Sequence, residues 1–241
     1  MRLLVPSYSY PSPTTFWDAI VAGAPSVKYM IANPASGPGT TTDTNYTAAI
    51  VHAQAAGITI LGYVSTGYAT GAPSPATIET SVDLWATLYG IHDIFFDETS
   101  SLVEDVPFYA QICNYVHAAA VPPIVVLNPG VVPDPGYLAI ADIVVVYEGV
   151  QVDYAAFSPP SWVTDGTYRS TQFCNIIHTC TSENLAATIT KAEAVNAGYI
   201  YVSDDVMPNP YKVLPTYLAT ELSSLPHLAD IHARQQSIAD N

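Results

Sequence analysis

Positive charge is what this sequence has least of: six Lys and Arg stand against 21 Asp and Glu, a formal net charge of −15. A field of that sign repels phosphate backbones at moderate ionic strength, which argues against nucleic acid as a partner. Charge of either sign is scarce, at 11% of residues, while 49% are hydrophobic. Such a balance belongs to a folded chain with a large core and a surface drawn from Ser, Thr, Tyr and Asn. No apolar run approaches the roughly 18 residues that a membrane-spanning helix needs, so no membrane partner is expected. Met1 to Val5 is too short an apolar start for a signal-peptide core, and any secretion leader is expected to be missing from the chain as it stands.

Cysteine is nearly absent. Cys113, Cys174 and Cys180 permit one bridge at most, and Cys174 with Cys180 would form it only if the chain turned back between them. Cys113 falls in a helical stretch and reads as a small apolar packing residue. There is no CxxC, HExxH, P-loop, GxSxG or GxGxxG after a strand. Of His52, His92, His117, His178, His227 and His232, only His178 ends an expected strand. No metal and no cofactor is expected. Asn45-Tyr46-Thr47 is a single glycosylation sequon.

What is present is regular alternation. Short β-rich runs cover Leu3 to Pro6, Lys28 to Asn33, Thr59 to Tyr63, Asp93 to Asp97, Ile124 to Asn128, Ile143 to Tyr147, Gln172 to His178 and Tyr199 to Ser203. Stretches of helical period lie between them at Phe16 to Ala22, Thr44 to Ala56, Pro75 to Tyr89, Pro107 to Ala120, Ser182 to Asn196 and Tyr211 to Leu225. Pro133, Pro135, Pro159 and Pro160 break the period after the fifth and sixth strands, where irregular or shortened helices are expected. Eight repeats in 241 residues predict a single (β/α)8 barrel of the TIM type over 1–241, and a monomer; an open doubly wound sheet would show the same alternation. Residues 226–241 read as a surface helix or a frayed tail.

Barrels of this kind place their chemistry at the carboxyl ends of the strands. Ile94-Phe95-Phe96-Asp97-Glu98 and Val144-Val145-Val146-Tyr147-Glu148 each set a carboxylate after an apolar run with no cation nearby in sequence. Glycoside hydrolysis needs such a pair: one carboxylate to attack or stabilise the anomeric carbon, and one carboxylic acid, of raised pKa, to protonate the leaving oxygen. The competing reading is that each acid caps the next helix or pairs with a rare cation. Tyr8, Tyr10, Tyr63, Tyr68 and Tyr147 are candidates for stacking on sugar rings, and Asn33 and Asn128 for bonding hydroxyls. His178 and Asp204 are further candidate substrate contacts. Core packing and turn formation are the alternatives for these residues.

Val5-Pro6-Ser7-Tyr8, Asn33-Pro34-Ala35-Ser36-Gly37-Pro38-Gly39, Gly62-Tyr63-Val64-Ser65-Thr66, Phe95-Phe96-Asp97-Glu98, Tyr201-Val202-Ser203-Asp204-Asp205 and Pro208-Asn209-Pro210-Tyr211 with Leu214-Pro215-Thr216-Tyr217 together resemble the spherulin-4 family. That family includes glycoside hydrolase family 135. The resemblance implies a (β/α)8 fold and endo-cleavage of α-1,4-linked N-acetylgalactosamine in galactosaminogalactan, a biofilm polysaccharide, by a secreted or wall-associated protein. It places the family's acidic trio on Asp97, Glu98 and Glu148, with Asp97 as nucleophile, Glu148 as acid/base and Glu98 positioning substrate or replacing either. The polymer is partly cationic when deacetylated, which suits an acidic surface. A non-catalytic polysaccharide-binding wall or spore-coat protein and a metal-dependent sugar deacetylase are the competing functions.

Overall fold

The computed structural model describes residues 1–119 and 123–225. Eight parallel strands, Arg2–Ser7 (β1), Val27–Ala32 (β2), Thr59–Ser65 (β3), Ile94–Asp97 (β4), Val125–Leu127 (β5), Ile143–Val150 (β6), Phe173–His178 (β7) and Tyr199–Val202 (β8), close into a barrel in chain order. The seam is made by β8 against β1, where Arg2 pairs with Tyr199 and Leu3 with Ile200. Closure excludes the open-sheet alternative. Each strand is covered on both faces, by the barrel interior and by helices, which is why the strands read as continuous apolar runs. Leu3, Leu4 and Val5 in β1 and all three residues of β5 are fully buried.

The chain returns through α1 (Thr15–Val21), α2 (Thr44–Ala55), α3 (Pro75–Tyr89), α4 (Val106–His117), α5 (Gln151–Ala156), α6 (Ser161–Thr164), α7 (Ser182–Ala194) and α8 (Leu218–Ser224). After β5 there is only a 3₁₀ turn, Pro135–Ala139, and after β6 the two short helices α5 and α6, as the prolines there require. The last helix is shorter than its sequence period suggests. Residues 211–217 form a folded loop, in which Ser203 Oγ donates to the Pro210 carbonyl at 2.8 Å and the Asp204 carboxylate accepts from the Thr216 amide at 3.2 Å. Pro215 adds to this by disfavouring helical geometry at the residue before it. Residues 226–241, and Ala120 at the end of the expected fourth helix, lie outside the described residues.

Two packing contacts fix the strand ends that carry the site. Ser74 caps α3 by accepting from the Thr77 amide at 3.3 Å, Pro75 opens the helix, and Gly90 closes it at a φ of 66°. Trp85 of this helix lies against Gly62 of β3, where a Cβ would come within 2.6 Å of the indole, and its Nε1 donates to the Tyr63 carbonyl at 2.9 Å. At the other end of the chain, Glu221 of α8 is fully buried, and its Oε1 accepts from the Val202 amide at 2.9 Å, tying α8 to β8. Burial pushes the Glu221 pKa up to about 8, so this group is a neutral carboxylic acid at neutral pH. Cys113, Cys174 and Cys180 are all free and buried.

β6 contains an irregularity that governs the site. Val145 pairs with Cys174 of β7, but Tyr147 pairs with the very next residue, Asn175. One extra residue on β6 therefore shifts the side-chain alternation by one step. Asn175 bonds the Tyr154 hydroxyl of α5 at 2.7 Å, and the Tyr147 ring packs against Tyr154 and Phe157 with centroids at 4.7 and 5.0 Å. Tyr147 therefore faces the helices, and Glu148 faces the mouth of the barrel.

Candidate active site

Three strands meet here: Asp97 is the last residue of β4, Asn128 follows β5 directly, and Glu148 lies within β6. Asn128 Nδ2 donates to Asp97 Oδ1 at 2.8 Å and to Glu148 Oε2 at 2.6 Å, so both protons of one amide are shared between the two acids. The amide cannot turn away, because its oxygen accepts from the Gly130 amide at 3.0 Å and the Gly130 carbonyl accepts from the Glu148 amide at 2.8 Å. Gly130 holds a φ of 69° to close this circuit. The other oxygen of Glu148 accepts from the Tyr211 hydroxyl at 2.6 Å.

Among the described residues neither acid makes an ion pair, the two bridges being His52–Asp18 and His117–Asp142. Neither is an N-cap, the residues before α4 and α5 being Asp105 and Val150. The structural readings of Asp97 and Glu148 are thereby set aside. The Asp97 pKa is pushed up to about 6, first by burial and then by the charge of Glu148, against the stabilising hydrogen bonding of Tyr63, the Glu98 amide and Asn128.

Of the remaining expected site residues, Tyr8 and Tyr63 belong to this cluster. The Tyr8 ring meets Tyr63 and Tyr211 edge to face, each with centroids 5.9 Å apart, and its pKa is raised by burial and by the nearby charges of Asp97 and Glu148. His178 pairs in register with Val150, two places further toward the mouth than the partner of Glu148, Ile176. Its Nδ1 contacts Thr179 Oγ1 at 2.9 Å, and burial lowers its pKa. Glu98 turns toward the loop after β3, where Ser65 Oγ donates to its carboxylate and Thr66 Oγ1 and the Tyr68 amide donate to its carbonyl at 2.8 and 2.6 Å.

Three candidate contacts are engaged elsewhere. Asn33 Oδ1 accepts from the Gly37 amide at 2.9 Å and shapes its own loop. Asp204 is taken up by Thr216, through both its amide and its hydroxyl, and Tyr147 faces the helices. Tyr211, conversely, was expected in a helix and stands in the site. The signal for it was the run Pro208-Asn209-Pro210-Tyr211, whose two prolines argue against helix at that point. Among the described residues, no group of three or more His, Cys, Asp or Glu side chains is arranged to hold a metal ion.

Residues 2–225 match the model of spherulation-specific family 4. Spherulin-4 of Physarum polycephalum is 32% identical over 237 residues, covering 93% of this chain and 70% of that protein. The chain belongs to spherulation-specific family 4. Among solved structures, Aspergillus clavatus Sph3 in complex with GalNAc matches this family member with a TM-score of 0.79 at 24% identity, over 92% of this chain and 96% of that one. The glycoside hydrolase domain of PelA from Pseudomonas aeruginosa, in a variant form, matches with a TM-score of 0.54 at 13% identity, over 88% and 96%. The family 4 barrel is therefore a fold that glycoside hydrolases use.

Proposed function

We propose that this protein is an endo-acting, retaining glycoside hydrolase that cleaves polysaccharide containing α-1,4-linked N-acetylgalactosamine. The observation that carries the reading is the Asn128 amide shared by Asp97 and Glu148. It leaves the two bonded oxygens no further apart than two short hydrogen bonds laid end to end. That upper limit reaches the roughly 5–5.5 Å of a retaining pair and falls short of the ~6.5–9.5 Å that an inverting enzyme needs for its water.

The division of roles follows the family resemblance. The Asp97 carboxylate attacks the anomeric carbon while Glu148 gives its proton to the departing glycosidic oxygen, leaving a glycosyl ester on Asp97. Glu148, now ionised, takes a proton from water, whose oxygen attacks the same carbon and releases Asp97. The starting state needs one ionised and one protonated carboxyl; the raised pKa of Asp97 keeps one proton on the pair up to about pH 6, and attack proceeds from the form in which that proton sits on Glu148. Tyr211 fixes the orientation of Glu148 through Oε1. Sph3, described in complex with GalNAc, and the PelA glycoside hydrolase domain support a carbohydrate substrate. The net charge of −15 favours the approach of a partly deacetylated, cationic polymer outside or on the wall of a cell.

The test is incubation with N-acetylgalactosamine-containing and control glycans, followed by mass analysis of the products and determination of the anomer first released. Shortened oligosaccharides retaining the α configuration are expected. Acetate release without chain shortening, or a bound but intact polymer, overturns the reading.

A further inference from the structure

The loop after β3 carries three consecutive residues in the left-handed region: Gly67, Tyr68 and Ala69, with φ of 57°, 56° and 56°. Only glycine adopts this backbone without steric cost. At Gly67 a Cβ would also come within 2.3 Å of the Ala72 carbonyl oxygen. The turn is bolted to the residue beside Asp97 by the hydrogen bonds from Ser65, Thr66 and the Tyr68 amide described above, and Glu98 is itself left-handed at a φ of 52°. Strain on both sides of one hydrogen bond persists only where the surrounding structure enforces it, and it collects at functional sites.

What this arrangement achieves is the placement of one ring. Tyr68 remains 54% exposed, yet its amide is fastened at 2.6 Å to the carbonyl of Glu98, the residue directly after Asp97. A tyrosine needed for packing would be covered by the core; this one is held beside the acids with much of its surface open to solvent.

We propose that Tyr68 is the stacking platform of a sugar subsite adjoining the Asp97–Glu148 pair, and that the Glu98 carboxylate is the positioning group, acting through Ser65 at the base of the Tyr68 loop. The proposal rests on the carbohydrate reading above and goes further, in giving the third acid a task other than proton transfer. The open ring takes the apolar C–H face of a pyranose unit next to the bond being cleaved, while the phenol reaches a ring substituent.

The experiment uses the full chain carrying Asp97→Asn, so that bound saccharide is not consumed, titrated calorimetrically with N-acetylgalactosamine oligosaccharides. Adding Tyr68→Ala is expected to weaken binding by about tenfold or more, and Tyr68→Trp to preserve it. The new indole also reports on its surroundings: its emission is expected to change saturably with saccharide, and that change is expected to vanish when Glu98→Ala is added and to survive Glu98→Gln, which can still accept from Ser65. Undiminished affinity of the Tyr68→Ala variant overturns the platform alone. A saccharide response that persists in Glu98→Ala overturns the positioning role. Failure of the Asp97→Asn protein to bind any saccharide overturns the carbohydrate reading and the subsite together.

Discussion

Asp97 and Glu148 come from β4 and β6, with a strand between them, yet both accept hydrogen bonds from the single amide nitrogen of Asn128 on the intervening β5. The bridge sets the spacing of the pair and offers each acid a donor that carries no charge of its own. Replacing Asn128 by Ala removes both donors from an already buried pair. The expected result is a loss in kcat of about 10²–10³-fold, measured on oligosaccharide substrate, with the circular dichroism spectrum unchanged.

Asp97→Asn and Glu148→Gln are nearly isosteric and alter only charge and protonation. Each is expected to lower cleavage by at least roughly 10²–10⁴-fold while leaving the melting temperature close to that of the parent. Small nucleophiles such as azide are expected to rescue the two differently. Asp97→Asn should give a glycosyl azide of inverted configuration and Glu148→Gln one of retained configuration, as an acid/base variant does. The opposite pattern exchanges their roles.

The pH profile follows from the raised pKa of Asp97. A carboxyl with a pKa near 6 holds its proton below that pH and loses it above. The singly protonated pair that glycosyl transfer requires is therefore depleted as pH rises, and kcat/KM is expected to fall through about pH 6. Tyr211→Phe removes the hydroxyl that stabilises ionised Glu148, so the pair should bind its proton more tightly and the limb should move to higher pH. A limb unmoved in this variant counts against the positioning of Glu148 by Tyr211.

Glu221 makes stability itself pH-dependent. Its pKa rises from 4.5 to about 8 on burial, so the folded state holds a proton that the unfolded chain releases. This contribution is fully present below about pH 4.5 and declines until about pH 8. Urea titrations are expected to show the protein most stable under mildly acidic conditions. Glu221→Gln, neutral at every pH and still able to accept from the Val202 amide, should flatten that decline.

Gly62→Ala drives a methyl group into the Trp85 indole. The expected cost is about 1–3 kcal/mol of unfolding free energy, read from denaturant midpoints. Because Trp85 also holds the Tyr63 carbonyl, activity is expected to fall along with stability.

Several elements were legible because they depend on local chemistry. Pro133, Pro135, Pro159 and Pro160 remove backbone donors wherever they fall, and the helices after β5 and β6 are accordingly short. Asn33 and Asp204 show the limit of the same approach. Polar residues at strand ends look alike in sequence, but the Asn33 side-chain oxygen accepts from the Gly37 amide and the Asp204 carboxylate from Thr216, and only the positions of those backbone amides reveal that both residues shape their own loops.

By itself, the order of apolar runs and breakers determined the eight-stranded alternation, and it set Asp97 at the end of β4 and Glu148 just past the buried apolar part of β6, because burial on two faces requires continuous apolar sequence and polar residues appear where that burial stops. Which way those residues point was decided by the tertiary structure. The extra residue in β6 reverses the alternation, so Tyr147 packs against the helices and Glu148 turns to the mouth. No pattern within the strand encodes that step, since it exists only as a register against β7. The meeting of Glu148 with Tyr211, 63 positions along the chain, likewise required the ring of strands to close.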